Sequence, residues 1–456
     1  DFNPNSYEGS PNADFLGEGT LESTIFAASF ETAFNGFKLQ SHTSYSDVDL
    51  FYNGDYLSFA PFDNYGPIPS AYQQMNRASR TLNEELRLVS SNSATKLRWN
   101  LGLFYQNIDS DWDTSAFYNQ DTTDFNYTNT TEDQITADDN KLNSLGLFGF
   151  IEYDITDKFN VSAGIRNEWE TLENTENINN SNSKRSYNAF QPKLSASYKF
   201  LEDKMLYASY SRGFRSGGYN PLEVPASGIN KEIDPEFTNS FEIGAKTSFW
   251  NNRFIFNVAY FNTVFENQQV YRFGSDGTRS FLGTVNFEES KASGFEVDTK
   301  IRLSQNFDVL GGASFIHTEI TKAFEETAIG NKIPFAPQSS VYVGLFSHFE
   351  INETSKISAN INIENKGKKY WFADDLYGVD QKDVFQDPFT LVNAKLIYDI
   401  KNFSIGLWGK NIFDVKYNQE WWPFGVFDGD PQGGPLGDIR TPSQPTTYGV
   451  ELSYKF

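Results

Sequence analysis

Two short stretches of this chain concentrate the side chains best suited to ligand binding. One reads Tyr370-Trp-Phe-Ala-Asp-Asp-Leu-Tyr377, and the other reads Trp421-Trp-Pro-Phe-Gly-Val-Phe427. Tyr and Trp supply large, rigid contact area with a polar handle, which suits an aromatic or amphipathic ligand. The predicted ligand-binding residues are Tyr370, Trp371, Phe372, Tyr377, Trp421, Trp422, Phe424, Phe427 and, as an anion contact, Arg215. The alternative is that the aromatics line a membrane interface or pack loops together.

Groups that could hold a metal ion or perform catalysis are sparse. Calcium needs six to eight oxygen ligands, and the carboxylate pairs Asp374-Asp375 and Asp428/Asp430 fall far short of that number. Calcium in these loops stays an open alternative, and no cofactor is predicted. The three histidines, His42, His317 and His348, have no ligand spacing. We find no Ser or Asp paired with His on adjacent strand ends, so no catalytic residue and no enzyme are predicted.

Composition limits the class of protein. The chain carries 60 acidic and 37 basic residues, a formal charge of −23, which argues against nucleic acid as a partner. Aromatics make up 16% of its 456 residues, but hydrophobic residues only 38%. No run approaches the 18 apolar residues of a membrane-spanning helix, so any membrane span must consist of strands. Cysteine is absent, which excludes disulfides and thiolate metal sites.

The elements that must position the aromatic stretches show a period of two. In the last residues, 448–456, apolar side chains occupy every second place and the chain stops on an aromatic. Residues 97–106, 254–260, 357–364 and 403–407 alternate in the same way. Because successive side chains of a strand point to opposite faces, each stretch has one apolar and one polar face. Residues 145–153 blur the pattern, with apolar side chains on both faces.

The connections between these segments alternate between short and long. Short ones carry turn residues, as in Asn35-Gly36, Thr156–Lys158, Leu201–Lys204, Asn251-Asn252 and Lys401-Asn402. Long ones are predicted at 51–78, 111–140, 174–186, 215–236, 266–284, 321–337, 371–386 and 417–443. Short periplasmic turns and long external loops are typical of outer-membrane barrels. The fold class is therefore all-β, a transmembrane antiparallel β-barrel.

The strand count predicts how much of a barrel is present. About seventeen segments are found, whereas single-chain bacterial barrels have an even number of strands with both termini periplasmic. With the last strand running inward, the first also runs inward. We therefore expect residues 1–18 to be an external loop segment, residues 19–456 to be barrel, and the preceding part of the molecule to be missing from this chain. A soluble β-repeat protein would show fixed periods, which are not observed.

Four fragments carry a resemblance to a known family. They are Leu206–Pro221 with its Ser-Arg-Gly-Phe-Arg core, Glu236–Phe249, Lys291–Asp298 and Gly409–Tyr417. In this order, they resemble the TonB-dependent outer-membrane receptors, which import siderophores, haem, cobalamin and some glycans. The resemblance implies about 17 of 22 barrel strands, with the plug domain and TonB box outside this sequence.

The resemblance also implies a function. We expect active import of a scarce nutrient, with a ferric siderophore as the default cargo, through a bacterial outer membrane. The expected partners are this small-molecule ligand, outer-membrane lipid and lipopolysaccharide, and the TonB complex through the missing plug. An importer of haem, cobalamin or oligosaccharide, a passive porin and a surface receptor remain alternatives. Inward-facing polar residues such as Arg98, Asn100, Asn362 and Glu451 are expected to line the bore.

Overall fold

The structure is a computed structural model that describes residues 17–55, 71–91, 95–120, 129–221, 229–275, 280–324, 326–373, 381–422 and 439–456. Seventeen strands form the main sheet, numbered with six short ones in chain order. They are β1 Glu18–Phe34, β2 Phe37–Asp55, β3 Ala71–Ser90, β4 Leu97–Asn119, β5 Thr130–Asp154, β6 Phe159–Glu176, β7 Ser181–Leu201, β8 Lys204–Arg215, β11 Glu236–Phe249, β12 Phe254–Ser275, β13 Ser280–Arg302, β14 Phe307–Lys322, β15 Ser339–Asn352, β16 Ser355–Lys366, β19 Phe389–Ile400, β20 Phe403–Lys410 and β23 Thr447–Tyr454.

Six short strands form three small hairpins outside the main sheet. They are β9 Gly218–Tyr219 with β10 Glu232–Ile233, β17 Lys369–Tyr370 with β18 Phe385–Gln386, and β21 Asn418–Trp422 with β22 Ile439–Pro442. Two 3-10 turns cover Glu326–Ala328 and Gln381–Asp383. Within the described ranges, no helix is long and apolar enough to cross a bilayer.

Every strand of the main sheet pairs antiparallel with the strands next to it in the chain. The order runs from β1 to β8, then through β11 to β16, then β19, β20 and β23. In the described part of the chain, β1 and β23 are paired on one side only. The predicted all-β fold and its seventeen segments are therefore confirmed.

The two faces of the sheet differ as the alternation predicts. On β4 and β16, the outward row includes the exposed side chains of Leu101, Leu103, Ile361 and Ile363. The opposite row is polar, and near the short turns the Arg98 guanidinium contacts two carboxylates. These are Glu152 at 2.9 Å and Asp154 at 2.6 Å. Further round the sheet, Lys395 and Glu451 are paired at 2.7 Å on the same polar face.

The polar face also contains a repeated pairing of glycine with an aromatic residue. In each case the two residues are directly opposite on neighbouring strands: Gly102/Phe148, Gly164/Phe150, Gly244/Tyr207, Gly294/Phe261, Gly312/Tyr342 and Gly449/Trp408. A methyl group added at Gly244 would meet the Tyr207 ring and the Val258 carbonyl oxygen, both at 2.7 Å. The missing side chain lets the ring lie against the sheet, so these aromatics do not project into the bore.

Several strands continue well beyond the predicted ends. The interval 174–186, predicted to be a long loop, is a tight turn between β6 and β7, because β6 reaches Glu176 and β7 begins at Ser181. The intervals 111–140 and 266–284 likewise consist largely of β4, β5, β12 and β13. Beyond the membrane the outward row no longer has to be apolar, so the alternation is lost while backbone pairing continues. The predicted long connections were wrong in extent for this reason.

Candidate functional site

The two aromatic stretches singled out in the sequence lie next to each other in space. Both follow strands that end on the side opposite the short turns, which is the outer mouth of the barrel. Lys369 of β17 pairs with Gln386 of β18. The Gln386 side-chain oxygen then accepts a hydrogen bond from the backbone N–H of Asn418, at 2.8 Å, at the start of β21. The strand carrying Tyr370 and the strand carrying Trp421 are thus joined through one glutamine.

Trp371 is enclosed in this region, with 1% of its surface exposed. Its ring meets Phe335 edge-on with centroids 5.6 Å apart. The indole N–H has no hydrogen-bond partner among the described residues. Trp421 is also buried. In this structure Trp371 packs against Phe335, Trp421 pairs with Arg440 in the β21–β22 hairpin, and contact with a ligand stays a prediction for both.

Two adjacent lysines lie on the aromatic rings of this region. The Lys368 ammonium is 3.3 Å from the centre of the Phe385 ring and 5.0 Å from that of Tyr370. The Lys369 ammonium is 4.0 Å above the Trp371 ring. Burial lowers the pKa of Lys369, against an opposing effect of Glu420. Among the described residues, no carboxylate lies within ion-pair distance of either ammonium, so cation–π contacts hold both charges.

A buried glutamine fixes the loops around this lysine–aromatic cluster. The Gln381 side chain accepts from the Lys332 N–H at 2.9 Å and donates to the Lys332 carbonyl at 2.7 Å and to the Phe372 carbonyl. Asn331 donates to the Ala373 carbonyl at 3.2 Å. Below these contacts, Phe287, Ile320, Ala328 and Ala373 form a small apolar core. The loops of β14 and β16 are therefore a packed body, and Phe372 is buried within it.

The remaining predicted site residues are dispersed or fall outside the described structure. Arg215 ends β8, opposite Glu236, several strands away from the lysine–aromatic cluster. Tyr377, Phe424, Phe427 and the four candidate calcium carboxylates lie outside the described residues, as does the side chain of Trp422. In the part of the chain that is described, no group of three or more His, Cys, Asp or Glu is placed to hold a metal ion.

A second polar region lies across the mouth, under a hairpin of residues 216–235 that carries β9 and β10. Its residues 222–228 lie outside the described ranges. On one side the hairpin is held by charge: Lys231 pairs with Glu176 at 2.8 Å. Arg185 pairs with Glu232 at 3.3 Å and with Asp234 at 2.8 Å. Glu176 lies directly opposite Asp138, and both carboxylates are buried.

The other side of the hairpin is held by neutral amides. The Asn220 side chain makes two hydrogen bonds of 2.8 Å to the backbone of Thr284 in β13. Asn286 does the same to the backbone of Asp234, at 2.9 Å in both directions. Because an amide side chain carries both a donor and an acceptor, it can make the same pair of hydrogen bonds to a backbone that a neighbouring β-strand would make. The hairpin thereby connects β6 and β7 to β13.

Under the hairpin, several buried polar atoms have no hydrogen-bond partner among the described residues. They include the hydroxyls of Tyr187 and Tyr219, whereas the Ser216 hydroxyl interacts with the Glu170 carboxylate. Tyr187 lies opposite Glu170, and the Arg185 guanidinium is 5.4 Å from its ring centre. Burial raises the pKa of Tyr187 to about 12, so its hydroxyl remains a donor. In the sequence, only the Ser-Arg-Gly-Phe-Arg fragment beside Ser216 marks this group, and that fragment does not predict a polar cluster.

That fragment has a structural role on the outward side of the mouth. The Arg212 guanidinium lies 4.4 Å from the Phe237 ring centre and pairs with Glu266 at 3.2 Å. Asn239 donates to the same carboxylate at 2.8 Å and accepts from the Tyr210 hydroxyl at 2.9 Å. These contacts join β8, β11 and β12 beyond the apolar rows.

Comparison with known proteins agrees with this architecture. Residues 1–412 match the family model described as "TonB dependent receptor-like, beta-barrel". The "Probable TonB-dependent siderophore receptor PiuA" of Acinetobacter baumannii is 24% identical over 287 residues, 58% of this chain and 36% of that protein. The "Ferrichrome outer membrane transporter/phage receptor" of Escherichia coli is 23% identical over 270 residues, 57% and 33% of the two chains.

Solved structures show the same fold. The ferric yersiniabactin uptake receptor FyuA of Yersinia pestis superposes with a TM-score of 0.74 at 16% identity, covering 95% of this chain and 61% of that one. The crystal structure of PiuA gives 0.72 at 16% identity, covering 96% and 65%.

The chain belongs to the TonB-dependent receptor β-barrel family, whose members are receptors and transporters of the bacterial outer membrane. It spans about a third of the length of the curated relatives it matches.

Proposed function

We propose that this protein takes part in TonB-dependent import of a ferric chelate, which binds at the outer mouth and is admitted when the TonB complex acts through a plug domain. Family membership supports the transport class. The names of relatives, a siderophore receptor and a ferrichrome transporter among them, support an iron chelate as cargo.

The lysine–aromatic cluster supports the chemical class of the cargo. In a chain with a formal charge of −23, Lys368 and Lys369 have aromatic rings, and no carboxylate, as partners among the residues that the structure describes. An anionic ligand with aromatic donor groups, such as a ferric catecholate, complements both features. A neutral oligosaccharide would use the rings and leave the two charges without a counterion.

The experiment is a binding titration with the complete receptor and four probes: a ferric catecholate, a ferric hydroxamate, haem and cobalamin. Lys368→Met and Lys369→Met keep the aliphatic stems and remove the charges. Each should weaken ferric catecholate binding about ten-fold, the value of one charge-assisted contact. Lys322→Met is the control, because Lys322 is already paired with Glu289 at 3.1 Å. Replacing Trp421 and Trp422 with alanine should also weaken binding without impairing assembly.

Two results would contradict the proposal. Tight binding of haem or cobalamin with no response to either lysine would assign a different cargo. Unselective passage of small solutes through liposomes carrying the complete receptor, independent of TonB, would identify a passive porin.

A further inference from the structure

A cross-strand row on the polar face of the main sheet places two arginines on either side of one phenylalanine. Arg87 of β3 lies opposite Gly102 of β4, and Phe148 of β5 lies on the other side of that glycine. Phe148 in turn lies opposite Arg166 of β6, and its ring occupies the space that a side chain at position 102 would need. The Arg87 and Arg166 guanidiniums are 5.7 Å and 5.9 Å from the centre of this ring. Both charges therefore converge on one aromatic surface.

Each of these arginines has a carboxylate partner and still has unused donors. Arg166 donates to both oxygens of Glu168 through Nε and Nη2, at 2.9 Å and 3.0 Å, which leaves Nη1 without a partner among the described residues. Arg87 is 2.5 Å from Glu85 through Nε, and its two terminal nitrogens make no hydrogen bond to any described residue. Because a guanidinium has five N–H donors in a fixed fork, each arginine can bind a further anion.

A lysine lies beside this row and adds a third positive charge. Lys193 of β7 is opposite Gly164 of β6, two positions from Arg166 on the same face. Its ammonium has no ion pair or hydrogen bond with the residues that the structure describes. An open cavity of about 380 Å³ lies over Arg87, Phe148, Arg166 and Lys193, within the roughly 300–1,000 Å³ of typical ligand pockets. We name these four residues the bore niche.

The bore niche lies inside the barrel, below the mouth. Arg166 is seven residues from Phe159, the start of β6 at the short turn, and Arg87 is three residues from Ser90, the end of β3. At about 3.3 Å per residue and a tilt of about 40°, these positions are roughly 18 Å and 8 Å above the short turns. The niche thus lies between the lysine–aromatic cluster at the mouth and the periplasmic side.

The chemistry of the niche matches the cargo class of the proposed function. A catecholate chelate carries anionic oxygens that suit the unused N–H groups and aromatic rings that suit Phe148. A single carboxylate of a plug domain would engage one arginine and leave the phenylalanine surface unused. We propose that the bore niche is a second binding station, which holds the ferric chelate in transit after it has left the mouth; this inference rests on the proposed function.

The experiment separates a transit station from a binding site at the mouth. The complete receptor is assembled in cells with Arg87→Met and Arg166→Met combined, which removes both charges and keeps the aliphatic stems. Affinity for a ferric tricatecholate is measured on the purified receptor. The TonB-dependent uptake rate of the same chelate, loaded with radioactive iron, is measured in cells at saturating concentration. Heat-modifiable gel mobility reports assembly.

The affinity should be unchanged, whereas the saturated uptake rate should fall about ten-fold, the value of one charge-assisted contact. The reason is that the anion then crosses the middle of the bore with two fewer charges to replace its hydration. Arg87→Lys combined with Arg166→Lys keeps both charges and should recover most of the rate. Lys395→Met is the control, since this bore-wall lysine is paired with Glu451 at 2.7 Å on another part of the sheet.

A second variant keeps the test available if the double variant does not assemble. Lys193→Met breaks no ion pair with a described residue and should slow uptake about three-fold, the value of a solvent-exposed charge contact. Its affinity for the ferric tricatecholate should again be unchanged.

Three results with these variants would overturn the proposal. An unchanged uptake rate, with import by wild type intact, would remove the niche from the path and leave the proposed function standing. Equal losses of affinity and rate would place the arginines in the mouth site. TonB-independent entry of small solutes would show that the arginines hold the plug domain. If wild type neither binds nor imports the chelate, the proposed function itself fails, and the transit station fails with it.

Discussion

The membrane-spanning half of the sheet and the outer mouth are organised by different rules. In the spanning half, most side chains of the outward row are apolar, and antiparallel pairing continues from one strand to the next. At the mouth, the contacts are individual: a buried Gln381 that joins two loops, or a Lys231 set beside Glu176. The first half depends on a pattern, and the second depends on particular residues. Substitutions should therefore have opposite consequences in the two regions.

The largest effect is expected from a charge on the outward face of the spanning half. Leu101→Arg or Ile361→Arg should reduce the free energy of folding into a bilayer by about 2–4 kcal/mol, since charge facing lipid is costly at mid-depth. Asn100→Arg and Asn362→Arg, on the opposite face, should be tolerated. Urea titration in lipid vesicles measures both. Equal losses of folding free energy for substitutions on the two faces would contradict the assignment of Leu101 and Ile361 to the lipid-facing side.

A smaller effect is expected from the glycine–aromatic pairs of the polar face. Gly244→Ala should cost about 1–3 kcal/mol, because the new methyl group overpacks against Tyr207 and a backbone carbonyl. Gly406→Ala is the control, since its nearest contact, Lys395, is at 3.4 Å. The same urea titration applies, and indistinguishable midpoints for the two variants would contradict the packing role.

At the mouth, removing an amide should loosen one hairpin and leave the barrel intact. Asn220→Ala loses both hydrogen bonds to Thr284, about 1–2 kcal/mol in net terms. A cysteine placed at buried Ile229 should then react faster with an impermeant maleimide, and the label is unambiguous in a chain without cysteine. Asn182→Ala, at an exposed site on β7, serves as the control. A global loss of folded protein would show that the hairpin is not a separate unit.

The smallest expected effect is a pH dependence of the stability with which the same hairpin docks on the barrel. Burial, together with the Glu176 carboxylate, raises the pKa of Asp138, beyond the apolar row of β5, from 3.8 to about 6. With the hairpin in place, the Asp138 carboxyl holds its proton more tightly than it would in water. Ionising Asp138 therefore destabilises the docked hairpin fully above about pH 6, and this destabilisation is lost below about pH 4. Lys231 opposes this shift, while Asp139 and Asp113 add to it.

Labelling at Ile229 should therefore slow as the pH falls from 7 to about 4.5, relative to a cysteine at exposed Tyr271. Asp138→Asn should flatten the profile. A profile unchanged by this substitution would assign the titration to another group.

The sequence predicted the spanning half well and the mouth poorly, for a physical reason. Lipid favours an apolar residue at every second position, so the stripe from Tyr448 to Phe456 is recognisable from the sequence alone. No such constraint acts beyond the membrane, which is why the sequence predicts a long loop at 174–186 where the structure has a tight turn between Glu176 and Ser181. The composition of the two aromatic stretches is visible in the sequence. Their proximity in space is not, because it depends on the hydrogen bond from Asn418 to Gln386, two residues far apart in the chain. Lys368 and Tyr187 carry no distinctive spacing and were missed.

The hairpin of residues 216–235 has unlike attachments on its two sides. Glu232 and Asp234 are largely solvated, so dissolved salt screens their attraction to Arg185. The neutral bonds of Asn220 and Asn286 are insensitive to salt. Raising the ionic strength should thus weaken the contacts with Arg185 of β7, while the pair of Lys231 with the buried Glu176 carboxylate and the amide bonds to β13 keep the hairpin docked.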